Sequence, residues 1–370
     1  MLTANFTRSL LVAALLSVVE TLHACEQCRC QGPSPVDALS TSINELFNQK
    51  VQDQKIQDAV NPPNSTNPPP TPEARTEGQE HPQPAAVPIA PAKQGYKWGL
   101  DTLTEYVRYE HNSIARGVAI LEAGRDTHAH RYEFDVTERL SYAVSDDLQL
   151  SLAQGYRYLN LREIENPDQA GRPEHSDGPG DLDLGIQYKA LHQKPCGSPV
   201  DLYIFASVKF PTGVTRNRKP NGDLFETEDQ PGTGSFNETG GLSVSKRWGK
   251  WAGSAAYGYT HKGEGSQEFK EGDVNRLTIS GARQVSPDDW STRVFLSQGV
   301  QGFIENKARD HGEVGPDHGG QFIYAAPSVS VQPNSHLTLT LSGAVPLYQN
   351  ENGLHQKDNY SLQLNVGIRF

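Results

Sequence analysis

Residues 360–370 read Tyr-Ser-Leu-Gln-Leu-Asn-Val-Gly-Ile-Arg-Phe, the last stretch of a 370-residue chain. Tyr360, Leu362, Leu364, Val366, Ile368 and Phe370 share one parity, and Ser361, Gln363, Asn365, Gly367 and Arg369 the other. Side chains on a strand alternate between its two faces, so this segment has one apolar and one polar face. In a soluble sandwich such a strand usually lies mid-domain, with polar residues after it. Here the run ends on an apolar aromatic. The pattern predicts a strand with one side in lipid and the other on a polar interior.

The same alternation recurs upstream. Leu337, Leu339, Leu341, Val345 and Leu347 form one apolar row. Leu182, Leu184, Ile186, Tyr188 and Ala190 oppose Asp181, Asp183, Gln187 and Lys189. Val200, Leu202, Ile204, Ala206, Val208 and Phe210 oppose Asp201, Ser207 and Lys209. Candidate strands fall at 97–110, 129–142, 148–163, 180–191, 200–210, 234–248, 251–262, 273–285, 290–304, 320–332, 336–347 and 358–370. The connections between them alternate short and long, with short ones such as Gly249-Lys250 and long ones such as Pro211–Thr233. A membrane barrel keeps that parity, with tight turns at one end and longer loops at the other; a sandwich has no reason to. The expected fold is all-β, a transmembrane antiparallel β-barrel of about 12 strands over residues 96–370. Bacterial outer-membrane barrels usually end on an aromatic, so Phe370 is the expected contact for the barrel-assembly machinery. Trp248, Trp251, Trp290 and Tyr348, near strand ends, suit interfacial girdles.

No run reaches the roughly 18 apolar residues of a transmembrane helix, which excludes a helical inner-membrane protein. The net charge of -11 argues against a nucleic-acid partner. Residues 1–24 have the form of a secretory signal peptide, with Arg8, an apolar stretch from Ser9 to Val19, and Leu22-His23-Ala24 before Cys25. Two processing routes fit: cleavage after Ala24, or lipidation of Cys25. Both export the chain, to a Gram-negative outer membrane with its tail in the periplasm. Residues 25–60 hold Cys25, Cys28 and Cys30 and a short amphipathic helix carrying Val36, Leu39, Ile43, Leu46 and Phe47. Disulfides are favoured over a metal site in an oxidising compartment, and Cys196 is a further candidate partner. Residues 61–95 are crowded with proline and read as an extended linker.

Three segments carry a family resemblance: Gly180-Asp181-Leu182-Asp183-Leu184-Gly185 running to Tyr188, then Ser207-Val208-Lys209-Phe210-Pro211-Thr212-Gly213, then Pro231-Gly232-Thr233-Gly234-Ser235. In this order and spacing they resemble the outer-membrane barrel family named for meta-pathway phenol degradation, whose members are often labelled transporters. The resemblance spans residues 96–370. It implies an outer-membrane barrel that moves small solutes, aromatic compounds among them, and it brings no catalytic residues. Physically, Pro211 ends a strand, while Gly232 and Gly234 let a loop fold close to the barrel rim.

Parity turns Glu133, Asp135, Arg139, Asp181, Asp183, Lys189, Arg247 and Arg369 toward the lumen. Charges so placed set selectivity or close a narrow barrel as ion pairs. His311 with Asp317 and His318, or His128 with His130, could ligate a metal, but loop histidines without fixed geometry read better as polar loop residues. No nucleophile elbow occurs, and neither a cofactor nor an enzymatic activity is expected. The expected function is passive passage of small solutes. The alternative is a non-conducting structural barrel whose tail docks a periplasmic partner, with an outer-membrane lipid-modifying enzyme a distant third.

Overall fold

The computed structural model describes residues 96–109, 129–162, 173–193, 200–315, 318–352 and 357–370. The signal peptide, the cysteines Cys25, Cys28, Cys30 and Cys196, the amphipathic helix and the proline-rich linker lie outside them. Twelve long strands run β1 Trp98–Tyr109, β2 Ala129–Ala143, β3 Leu148–Arg162, β4 Pro173–Gln193, β5 Val200–Phe210, β6 Asn237–Trp248, β7 Trp251–Lys262, β9 Val274–Gln284, β10 Arg293–Glu305, β13 Gly320–Gln332, β14 Leu337–Glu351 and β15 Asp358–Arg369. Each pairs with its chain neighbours, and β1 pairs with β15, so the sheet closes into an antiparallel barrel. The short strands β8 Phe269–Lys270, β11 Arg309–Asp310 and β12 Glu313–Val314 form a separate three-stranded sheet within the loops.

The largest departure from the expected strand bounds is in β4. β4 begins at Pro173, seven residues before the expected Gly180. Gly178-Pro179-Gly180 reads as a turn, yet the backbone stays in the ladder, with Tyr158 opposite Asp177 and Leu161 opposite Glu174. A bulge between Gln154 and Tyr156 of β3 absorbs the irregularity.

The outer face is apolar over most of its middle. Leu152, Leu184, Ile204, Leu341 and Leu362 are all exposed, Leu341 at 57%. A water-soluble domain would bury such a continuous belt; in a membrane barrel it faces lipid. Aromatic rows bound it. At the loop end, ring centroids step from Tyr360 to Tyr106 (6.4 Å), to Tyr132 (5.9 Å), to Tyr158 (6.2 Å) and to His175 (6.0 Å). At the turn end, Trp98 meets Tyr142 at 4.6 Å, and Trp248, Trp251 and Trp290 are exposed. Amphipathic rings hold this level because their polar edges reach the headgroup region. Together with the closed ladder, these features make the chain a transmembrane antiparallel β-barrel.

Candidate pore lumen

The interior has two unlike walls. The first runs over β15 and β1 to β5 and is charged. Arg369 reaches Asp101 at 3.0 Å, and the Gln363 amide donates to Glu105 at 2.6 Å. Arg157 bridges Glu133 at 2.7 Å and Asp135 at 3.5 Å, and the Tyr109 hydroxyl donates to Glu133 at 3.0 Å. Asp183 lies directly across from Lys209, and Arg139 directly across from Asp101. Lys189, near the turn end, donates to the Asp146 carbonyl at 3.2 Å. The predicted lumen charges thus share this wall, except Arg247. That residue keeps inward parity but sits exposed at the rim, next to Trp248.

The second wall, over β6 to β14, is built mainly from small residues toward its turn end, with Arg276 of β9 and Gln301 of β10 turned inward nearer the loops. β7 turns Ala252, Ser254, Ala256 and Gly258 inward, opposite Ala282, Ser280, Thr278 and Arg276 of β9. Hydroxyls pair across strands, Ser254 with Ser280 at 2.7 Å and Ser330 with Thr340 at 2.8 Å. Ser254, Ala256, Thr278 and Ser280 are only half-buried although they point into the barrel. Space therefore remains beside them. Sequence reading singled out the charges and passed over this wall; its sign was the Ser/Ala/Gly run at alternate positions of β7.

The loop end is filled instead. Phe303, Phe322, Tyr324 and Val274 pack together inside the barrel. Residues 211–236, between β5 and β6, fold inward, and Phe225 packs on Leu159 and Leu161 of β3. The segment from Thr227 to Gly232 is buried.

Asp181 of β4 hangs this loop. Its side chain is 3% exposed. One carboxylate oxygen accepts from the Gly213 N–H at 2.8 Å. The other accepts from the Thr233 N–H at 2.9 Å and the Thr233 hydroxyl at 2.8 Å, with Lys209 at 3.6 Å. Lys209 also donates to Thr233 Oγ1 at 3.0 Å, and Thr212 Oγ1 accepts from the Leu182 N–H at 2.9 Å. The three resemblance segments, far apart in sequence, meet at this clasp. Their shared role is structural: they pin both ends of the inward loop to the barrel wall.

Close backbone approach completes the clasp. A Cβ added at Gly232 would lie 2.6 Å from the Gly213 Cα, and one at Gly213 would lie 2.7 Å from the Gly232 Cα. Neither neighbour is a flexible side chain. We expect Gly232→Ala to destabilise the barrel by about 1–3 kcal/mol, the usual cost of overpacking, and to expose 211–236 to protease. Urea unfolding in vesicles with limited proteolysis checks both.

Among the described residues no cluster of ligating side chains has the form of a metal site. His311 contacts Asp310 at 2.8 Å, and His318 lies 3.7 Å from Glu228; Asp317 and His128 lie outside the described residues. His261 contacts Asp273 at 3.1 Å. Burial pushes the Asp273 carboxyl up, but the Lys262 N–H, the Tyr259 hydroxyl and His261 together hold it below the usual carboxylate range. A depressed folded value stabilises above the unfolded pKa, near pH 4, and that stability is lost as pH falls through the folded value. The stability difference between wild type and Asp273→Asn should therefore vanish on acidification from about pH 6 to about pH 2, measured by urea unfolding.

No protein-family model and no curated protein matches the chain. Solved structures do. An outer-membrane channel from Pseudomonas putida F1 aligns over 76% of this chain and 99% of its own, with 16% identity and a TM-score of 0.54. The β domain of the Bordetella autotransporter Brka aligns over 74% and 99%, with 9% identity and a TM-score of 0.40. The likeness to the channel is one of architecture, and with the apolar belt and closed ladder it gives this chain the fold of an outer-membrane β-barrel.

Proposed function

We propose that the chain is a passive channel for small solutes across an outer membrane, with its mouth set by the inward loop 211–236. The observation that carries this reading is the half-buried wall of Ser254, Ala256, Thr278 and Ser280. A barrel serving only as a scaffold would fill that space with large side chains, because packed interiors leave few voids. A solute there exchanges its water shell for wall hydroxyls on one side and charged groups on the other. Small aromatic compounds are the solutes suggested by the motif resemblance. They suit a lumen that joins apolar Ala and Gly to hydroxyls. The lumen charges Glu133, Asp135, Arg139, Asp183 and Arg369 are then the selectivity groups.

In this reading both termini and the short turns face the periplasm, and the loops face outward. Residues 25–95 form a periplasmic tail, with Cys25 as the lipidation candidate. Phe370 is the end read by the assembly machinery. The packing of Phe225, Phe303, Phe322 and Tyr324 at the loop end favours a second reading, a closed barrel whose tail does the work. Single-channel conductance in planar bilayers, with and without small aromatic acids, separates the two. Passage of ions that the aromatic acids reduce supports the channel. A barrel that passes neither ions nor labelled small solutes is a scaffold.

A further inference from the structure

One position in the middle of the apolar belt carries a carboxyl. β2 presents Tyr132, Phe134, Val136, Glu138, Leu140 and Tyr142 outward. Glu138 stands between the two aromatic rows, about 10 Å from the nearer one at usual strand rise and tilt. Its direct cross-strand partners are Thr102 of β1 and Gln154 of β3. Three polar side chains therefore form one row across three adjacent strands. The row ends at Val366 of β15 and Leu182 of β4.

The row is incompletely satisfied. The Thr102 hydroxyl lies 3.0 and 2.9 Å from the two Glu138 carboxylate oxygens. Glu138 and Gln154 are both exposed. Among the described residues no cation pairs with Glu138, and nothing accepts from the Gln154 amide. Two polar groups elsewhere on the outer face are answered within the chain: the Gln298 amide donates to the Gly299 carbonyl at 2.8 Å, and Arg283 lies 5.1 Å from the Trp251 ring centre.

Hydrocarbon supplies no hydrogen-bond partner. Lipid ester groups accept but do not donate, so lipid adds no donor to the single Thr102 hydroxyl that the Glu138 carboxylate already has. A second copy answers both groups at once. Glu138 accepts, Gln154 donates, and the two are neighbours in one row. A two-fold axis along the membrane normal, passing between them, sets each against its complement. We propose that this row is the centre of a homodimer interface within the membrane, with Glu138 of each protomer accepting from the partner's Gln154.

The full chain, labelled with one fluorophore and reconstituted into lipid vesicles at falling protein-to-lipid ratio, gives the test by photobleaching. Two subunits per particle are expected. Glu138→Leu and Gln154→Leu should each raise the dissociation constant about tenfold, as loss of a symmetric pair of membrane hydrogen bonds predicts. Glu138→Gln, which still accepts, should keep the dimer. Heat-dependent gel migration reports whether each barrel is folded. A wild type that is monomeric at every ratio, a subunit number other than two, or dimers that both folded leucine variants leave unchanged would overturn the proposal. The wild-type measurement decides even where a variant fails to fold, and it reads subunit number independently of conductance.

Discussion

Asp181→Ala should raise single-channel conductance several-fold and make the current noisy. The carboxylate holds the Gly213 and Thr233 N–H groups and the Thr233 hydroxyl, and it balances Lys209. Removal leaves the Gly213 and Thr233 N–H groups without their acceptor, and Lys209 without this counter-charge, in a nearly dry site. Each such orphaned donor costs about 1–3 kcal/mol, and together they work against the remaining ties of the loop, the Val214 N–H to the Pro179 carbonyl, Asn217 to Ser176 and Asp177, and the Thr227 hydroxyl to the Ser266 carbonyl. The loop then samples positions away from Leu159 and Leu161, and the loop end opens. Asp181→Asn should give a smaller change, because a carboxamide oxygen still accepts. Planar-bilayer recordings of the two variants beside wild type provide the check. Equal, quiet conductance in all three would mean that the inward loop does not limit passage.

Ala256→Trp should cut conductance at least tenfold, whereas Ala255→Trp should leave it unchanged. Neighbouring residues on a strand point to opposite faces. Ala256 lies opposite Thr278 on the lumen side, and Ala255 lies opposite Ile279 on the lipid side. An indole at 256 occupies the space beside Ser254 and Ser280, with no packed neighbour to hold it elsewhere. The same indole at 255 adds one more aromatic to a lipid-facing surface. Equal effects from the two would contradict the register, and no effect from either would contradict a lumen route along this wall.

Most of the barrel was legible because lipid and lumen impose opposite demands on alternate residues. The last strand and the fifth show it plainly: every outward position from Leu202 to Phe210 is apolar, and Asp201, Ser207 and Lys209 turn inward. The start of β4 was hidden because Gly178-Pro179-Gly180 carries turn chemistry, and only pairing with β3 keeps it extended. Charges at the lumen were legible by parity. Their partners were not, since Arg157 with Glu133 and Gln363 with Glu105 depend on which strands become neighbours. The clasp was half visible. Its segments stood out as motifs, but one carboxylate gripping both ends of a loop is a tertiary fact. The small-residue wall carried the weakest signal, because Ser, Ala and Gly at alternate positions resemble an indifferent strand until closure turns them inward.

The pairing of β1 with β15 has a consequence for biogenesis. Asp101 and Glu105 meet Arg369 and Gln363 across sequence separations of 268 and 258 residues. Contacts that distant form late, after the intervening chain has lost its freedom. A nascent polypeptide lacking its final strand presents two raw edges, whose unpaired amides hydrocarbon will not tolerate. Insertion must therefore wait until β15 has been made, and the seam zips last.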